Sequence, residues 1–411
     1  MAAIIVANVY TQTICVSSRA RFPLLHMPGQ ATVRDLKQEI SMRHPWTILL
    51  AFFFALASAP SAHAQEAKES KKASTSKGHG HGHGHGVDGA AVYARYCALC
   101  HGADREGYAA DNAPSLRSPQ LMGAAPGSYL WSAISYGRPN TPMAAFQDTL
   151  GGPLSHDEQH GLMDWLIKES GVTRAPVADV PVNGDAEQGQ AIYAKHCAEC
   201  HGENGEGGTG TVVAHPVFLA TASDAFIRYT IAKGRDGTPM MAYADKLSAA
   251  EIDNVVAFLR SRATGWKETI PELAPPPDPA NAILNSSAPP AKLEHREDRF
   301  VSAKSLAEAM ERGERMVLLD ARPMSDWQRS HLPGALPMPF YDGIDELVPH
   351  LPKDDTPIIA YCACPHAASG RVVDALTAAG FTNARILDEG VLIWAGLGYP
   401  IALGAEPSKR E

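Results

Sequence analysis

Cys97-Ala98-Leu99-Cys100-His101 recurs one hundred positions on as Cys197-Ala198-Glu199-Cys200-His201. Two thiols three positions apart share one helical turn, where both can add to the vinyl groups of a single porphyrin. The histidine that follows them reaches the iron. C-x-x-C-H is the attachment signature of c-type haem. One copy can arise by chance. Two copies in equivalent settings argue for two covalently bound haem c groups, one held by Cys97, Cys100 and His101 and the other by Cys197, Cys200 and His201.

The repeat extends outward from the motif. Gly89, Tyr93 and Cys97 recur as Gly189, Tyr193 and Cys197, four positions apart and therefore on one face of a helix. Gly89 and Gly189 lack a side chain, which lets a second helix cross closely. The amphipathic segments 157–169 and 249–260 are the candidates, with Ser155 and Ser248 as their N-caps. Downstream, Gly137-Arg138-Pro139-Asn140-Thr141-Pro142-Met143 is matched by Gly234-Arg235-Asp236-Gly237-Thr238-Pro239-Met240. A lone methionine is usually core filler. Two that each follow Gly-Arg-x-x-Thr-Pro point to a role, because proline fixes the loop just before a soft thioether donor.

Both units resemble class I cytochrome c domains from end to end. The resemblance implies His101 and His201 as proximal iron ligands, Met143 and Met240 as distal ones, and Pro114 as the carbonyl that orients the first histidine. Met241 is a neighbour that competes with Met240, and His215 is an alternative that would make the second haem bis-histidine. His/Met ligation raises the reduction potential relative to bis-histidine and leaves no open coordination position. The haems therefore read as electron carriers rather than sites where substrate meets iron.

A third unit is α/β in pattern. Residues 317–319 and 357–361 are short apolar runs of buried-strand type, 372–379 reads as a helix, and Gly380 stops it. Cys362 follows the second run and precedes the helix, at the carboxyl edge of a parallel sheet where ligand sites form. The loop there can turn backbone N–H groups toward an anion. This stretch resembles the rhodanese domain. Leu319-Asp320-Ala321-Arg322 matches its first strand and Asp-x-Arg signature, and His331-Leu332-Pro333-Gly334-Ala335 its turn, with Ser330 in place of glycine. Tyr361-Cys362 matches the strand end carrying the nucleophile, and Gly390, Trp394 and Tyr399-Pro400 the C-terminal segment. The resemblance implies Cys362 as a catalytic cysteine that carries sulfane sulfur as a persulfide. The family's arginine five residues later is Ala367 here, and the first arginine is Arg371. Cys364 is a candidate to resolve a persulfide or to cycle with Cys362 as a disulfide, and His366 to lower a thiol pKa.

The flanks complete the organisation of the 411 residues. Residues 42–64 read as a secretory signal: Met42-Arg43-His44, the apolar run 46–59, and Ala62-His63-Ala64 as the cleavage site. The run is shorter than the roughly 20 residues that span a bilayer, so no transmembrane segment is expected after cleavage. Residues 1–41 read as an upstream segment outside the true start. A polar tether occupies 65–87, with His79, His81, His83 and His85 alternating with glycine, a composition that can bind Cu, Ni or Zn. The expected domains are 88–172 and 186–264 for the two cytochrome units, a Pro-rich linker at 265–295, and 296–403 for the rhodanese-like unit.

The expected fold class is thus multidomain: two all-α cytochrome c domains plus one α/β domain with a parallel sheet flanked by helices. Net charge is −9, which gives no basic footprint for nucleic acid. The expected function is periplasmic one-electron transfer coupled to persulfide or thiol chemistry at Cys362. The alternative is a plain electron carrier whose third unit only binds. Expected partners are redox proteins (a quinol-linked complex, an oxidase or another cytochrome) and small sulfur species.

Overall fold

A computed structural model describes residues 86–363 and 366–404. The expected signal sequence at 42–64, the histidines at 79–85 and Cys364 lie outside the described residues.

The first unit starts with α1 (Gly89–Tyr96), which runs through Cys97 into the single turn α2 (Ala98–His101). Asp88 caps α1 through its carboxylate. Then come α3 (Pro119–Ala124), α4 (Gly127–Tyr136) and α5 (His156–Glu169). The second unit repeats the order as α6 (Ala186–His196), α7 (Ala198–His201), α8 (Pro216–Thr221), α9 (Asp224–Lys233) and α10 (Ala249–Ser261). Ser155 and Ser248 each close a capping box, with Glu158 and Glu251.

The helix crossings fall where the glycines allow them. A Cβ on Gly89 would lie 2.5 Å from the Gly161 carbonyl oxygen of α5, and one on Gly189 would lie 1.9 Å from that of Asn254 in α10. Those approaches bring Tyr93 beside Trp165 and Tyr193 beside Phe258, at ring separations of 5.1 and 4.9 Å. One apolar core runs through both units, with Tyr129 of α4 between Phe218 and Phe226 of the second unit.

The third unit is a seven-stranded sheet. Its strands are β1 (Ile283–Leu284), β2 (His295–Arg296), β3 (Phe300–Val301), β4 (Met316–Asp320), β5 (Leu336–Pro337), β6 (Ile358–Tyr361) and β7 (Ala384–Leu387). The order is β1-β4-β6-β7-β3-β2, with β5 beside the end of β4. The centre is parallel, as expected, but both edges are antiparallel: β1 on β4 and β2 on β3. The sheet is therefore mixed. Within the stretch expected as linker (265–295), Ile283–Leu284 and His295 pair into the sheet. Proline-rich composition hid two-residue strands that exist only through their hydrogen-bonding partners.

Side chains alternate across the central strands. Val317, Leu319, Ile358, Ala360 and Cys362 face α13 (Ala367–Ala378). Met316, Leu318, Ile359 and Tyr361 face α11 (Ala303–Glu311) and α14 (Gly390–Gly396). Between β4 and β5 lies α12 (Met324–Arg329). The Asp320–Arg322 pair is buried here, with Arg322 Nε and Nη2 on the two carboxylate oxygens at 2.9 and 2.7 Å. It ties β4 to the turn after α12, since Arg322 also donates to the Ser330 carbonyl. Ser330 sits at φ −169°, extended backbone open to any residue, so serine serves where the family has glycine.

Candidate haem and thiol sites

The two C-x-x-C-H segments fold alike. In each, the histidine amide donates to the carbonyl of the first cysteine at 3.0 Å, so both thiols and the imidazole leave one helical turn together. His101 Nδ1 bonds the Pro114 carbonyl at 2.8 Å, and His201 Nδ1 bonds that of Thr211 at 2.7 Å. A carbonyl can only accept, so Nδ1 carries the proton and the Nε2 lone pair is left for a metal. Burial lowers the pKa of both rings, which keeps them neutral, as a ligand must be. Tyr93 and Tyr193 donate to the carbonyls of Gly102 and Gly202, bracing each turn from below.

The methionine loops also repeat. Thr141 Oγ1 accepts from the Met143 amide at 3.2 Å, and Thr238 Oγ1 from the Met240 amide at 3.1 Å. Arg138 and Arg235 close the loops by donating their amides to the Met143 and Met240 carbonyls. Met143 packs on the apolar core. Met240 is half-buried, whereas Met241 is 49% exposed with its sulfur near Lys246 Nζ, so the two neighbours point to different surroundings.

His215 is committed elsewhere. Its Nδ1 accepts from the Val217 amide, capping α8, and its Nε2 donates to the Pro139 carbonyl at 2.9 Å. Neither nitrogen keeps a lone pair for iron, which removes the bis-histidine alternative.

Haem c fits these residues: paired thiols, a neutral imidazole with one nitrogen spent, and a loop thioether in each unit. Arg235, within the Met240 loop, supports the fit. It lies over Phe226, and its buried Nη1 has no hydrogen-bond partner, a charged donor beside the Met240 loop suited to an anionic group. Its place in the repeated loop was legible in the sequence, but its unspent donor was not.

Cys362 is 5% exposed at the end of β6. Burial pushes its thiol pKa up. The Ser369 hydroxyl, at 3.3 Å, and the backbone N–H groups of Ser369 and His366 pull it back, while the charge of Asp111 raises it. The loop thus turns N–H groups toward sulfur. For His366 it is the main chain, in a left-handed conformation at φ 84°, that serves the thiol. The imidazole turns to Asp388, bonding its carbonyl and lying 3.3 Å from its carboxylate. Gly390 closes the other side. A Cβ there would lie 2.6 Å from the Ala363 carbonyl oxygen, and the next amide, that of Val391, donates to the Cys362 carbonyl at 2.9 Å. Arg371 is exposed on α13, so the missing arginine at 367 is not replaced from the next turn.

Asp111 was not singled out in the sequence. It belongs to the first unit, yet its charge acts on Cys362. Burial raises its own pKa to about 7, and its Oδ1 has no hydrogen-bond partner.

Two known families match this chain. The family described as cytochrome c oxidase, cbb3-type, subunit III matches residues 86–166 and again 184–259. The rhodanese-like domain family matches residues 302–397. The chain carries cytochrome c domains followed by a rhodanese-like domain. Its cytochrome c domains are similar to the cbb3-type cytochrome c oxidase subunit FixP of Azorhizobium caulinodans, 28% identical over 184 residues, which are 43% of this chain and 60% of that protein. A second relative is dihydro-heme d1 dehydrogenase of Pseudomonas aeruginosa, 38% identical over 71 residues, 17% of this chain and 14% of that protein. The rhodanese-like domain of an Anabaena sp. protein, solved in solution, is 29% identical and covers 28% of this chain and 89% of its own, with a TM-score of 0.24. The chain spans about six-tenths of the length of the cbb3-type relatives it matches. Cytochrome c domains imply covalently bound haem c. Among the described residues, no helix is long and apolar enough to cross a membrane.

Proposed function

We propose that this chain is a periplasmic dihaem electron-transfer protein whose rhodanese-like domain supplies electrons from sulfur chemistry at Cys362. The observation that carries the electron-transfer part is the paired imidazole geometry. In both cytochrome c domains Nδ1 is spent on a carbonyl and Nε2 is left for iron. Met143 and Met240 are the thioethers that would complete each ligand set, which would leave no position on either iron for substrate.

Haem c bound at each site supplies a one-electron acceptor, and two such sites match the two electrons released when hydrosulfide bonds to Cys362 Sγ (HS⁻ + Cys–SH → Cys–S–SH + H⁺ + 2 e⁻). The protein's part is to hold that sulfur. The Ser369 hydroxyl and the N–H groups of Ser369 and His366 stabilise negative charge on Sγ. Burial keeps water from competing. Transfer of the outer sulfur to a thiol acceptor would regenerate Cys362, with Cys364 a candidate acceptor in the same loop. With alanine at 367, a small hydrosulfide or persulfide donor suits the site better than thiosulfate.

The test is Cys362→Ser in the intact chain, with haem absorbance followed after addition of sodium hydrosulfide. Reduction should slow by at least about tenfold. An unchanged rate would sink the sulfur part of the reading. It would leave a plain electron carrier with a binding module, which the missing arginine at 367 also favours. Electron partners in either case are redox proteins such as an oxidase, a quinol-linked complex or another cytochrome.

A further inference from the structure

The two C-x-x-C-H turns have the same sequence pattern and fold but different surroundings. His101 is 8% exposed and Cys100 half-buried, whereas His201 is half-buried and Cys200 exposed. The rhodanese-like domain packs on the first cytochrome c domain at three places around its haem motif. On α1, just before Cys97, Arg95 Nη2 pairs with Asp342 Oδ1 at 3.1 Å, and Tyr96 meets Tyr341 edge-on at a ring separation of 4.8 Å. On the distal side, Ser325 Oγ donates to the Ala145 carbonyl at 2.5 Å, two residues past Met143. Between them, α13, which begins five residues after Cys362, packs against α2.

Contacts on the motif side and on the methionine side of one haem site bracket that site. The second cytochrome c domain meets none of these three contacts; it joins the first through Tyr129, His215 and Asn112.

We propose that the rhodanese-like domain is an internal redox partner docked on the first cytochrome c domain, so that Cys362 addresses the haem site of Cys97, Cys100 and His101 in preference to that of Cys197, Cys200 and His201. The order of transfer is then Cys362, first haem site, second haem site. Two electrons leave as hydrosulfide bonds to Cys362 Sγ, one proton goes to solvent, and the electrons pass singly. The exposed Cys200 turn is left as the edge open to an external redox protein. This assignment rests on the sulfur chemistry proposed above, and its test separates the two.

Two intact-length variants each lose one attachment pair: Cys97→Ala with Cys100→Ala, and Cys197→Ala with Cys200→Ala. Each oxidised variant is kept in excess over the sodium hydrosulfide added, so that two chains take up the two electrons, and absorbance of the remaining haem is followed. The chain keeping only the second site should be reduced at least about tenfold more slowly than the chain keeping only the first. Equal rates that both depend on Cys362 overturn the order and leave the sulfur chemistry standing. Rates indifferent to Cys362→Ser in both overturn the sulfur chemistry and the order with it. Because losing a haem can unfold its domain, a second measurement leaves both sites intact. Asp342→Arg should reduce hydrogen-exchange protection of the amides of residues 97–101, and adding Arg95→Asp should restore it. Protection unchanged in Asp342→Arg overturns the docking.

Discussion

At the scale of single residues, Cys362 shows how a thiol is held between opposing influences. Burial and the charge of Asp111 favour the thiol, while the N–H groups of His366 and Ser369 favour the thiolate. The position of Cys362 was legible, because the apolar run before it marks a strand and the chain must turn where the strand ends. Asp111 was not, because it comes from a different domain and no local pattern links the two. Replacing it makes a direct check. Asp111→Asn removes a negative charge near Cys362, so the thiol pKa falls and iodoacetamide should alkylate Cys362 about two- to fivefold faster at pH 8, read by peptide mass spectrometry. The family signature residues Asp320 and Arg322 read differently in three dimensions. They form a buried pair that fixes the turn after α12, and neither side chain bonds the Cys362 sulfur.

At the scale of elements, repetition made the helical part readable. Glycine, tyrosine and cysteine at a spacing of four define one helix face, and the amphipathic segments supply its partner. The capping serines were equally local, since a cap bonds within its own first turn. The closeness of the crossings is a packing quantity that only coordinates supply. Gly189→Ala would place a methyl group 1.9 Å from the Asn254 carbonyl oxygen, so α6 and α10 must separate. A cost of about 1–3 kcal/mol is expected, measured as a lowered midpoint of thermal or denaturant unfolding. The strands were harder to read. β4 and β6 announce themselves as apolar runs, but β1 and β2 are two residues each and carry no pattern. Their identity comes from the strands they border.

At the scale of the whole molecule, His215 joins the cytochrome c domains through the Pro139 carbonyl, on the loop that leads to Met143. Burial lowers its pKa from 6.5 to about 4. As pH falls through that window the unfolded chain takes up a proton that the folded chain refuses, so stability is lost on acidification and recovered as pH rises. The wild type should lose about 2–3 kcal/mol more than His215→Gln between pH 6.5 and 4, measured by denaturant unfolding at each pH. The linker is likewise tied at both ends, Trp266 to Tyr136 at a ring separation of 4.8 Å and Ala274 to Gln328 by two hydrogen bonds. Proline content alone gave only an extended spacer. The sequence by itself determined the domain types, the repeated haem motif and loop, and the cysteine at a strand end, because each is written within a few residues of local spacing. The tertiary structure alone decided that His215 is spent on a contact between domains and that the two C-x-x-C-H turns differ in exposure. It alone packed α13, the helix that follows Cys362, on the first of them, because contacts between distant segments follow from how whole domain surfaces pack and leave no period in the chain.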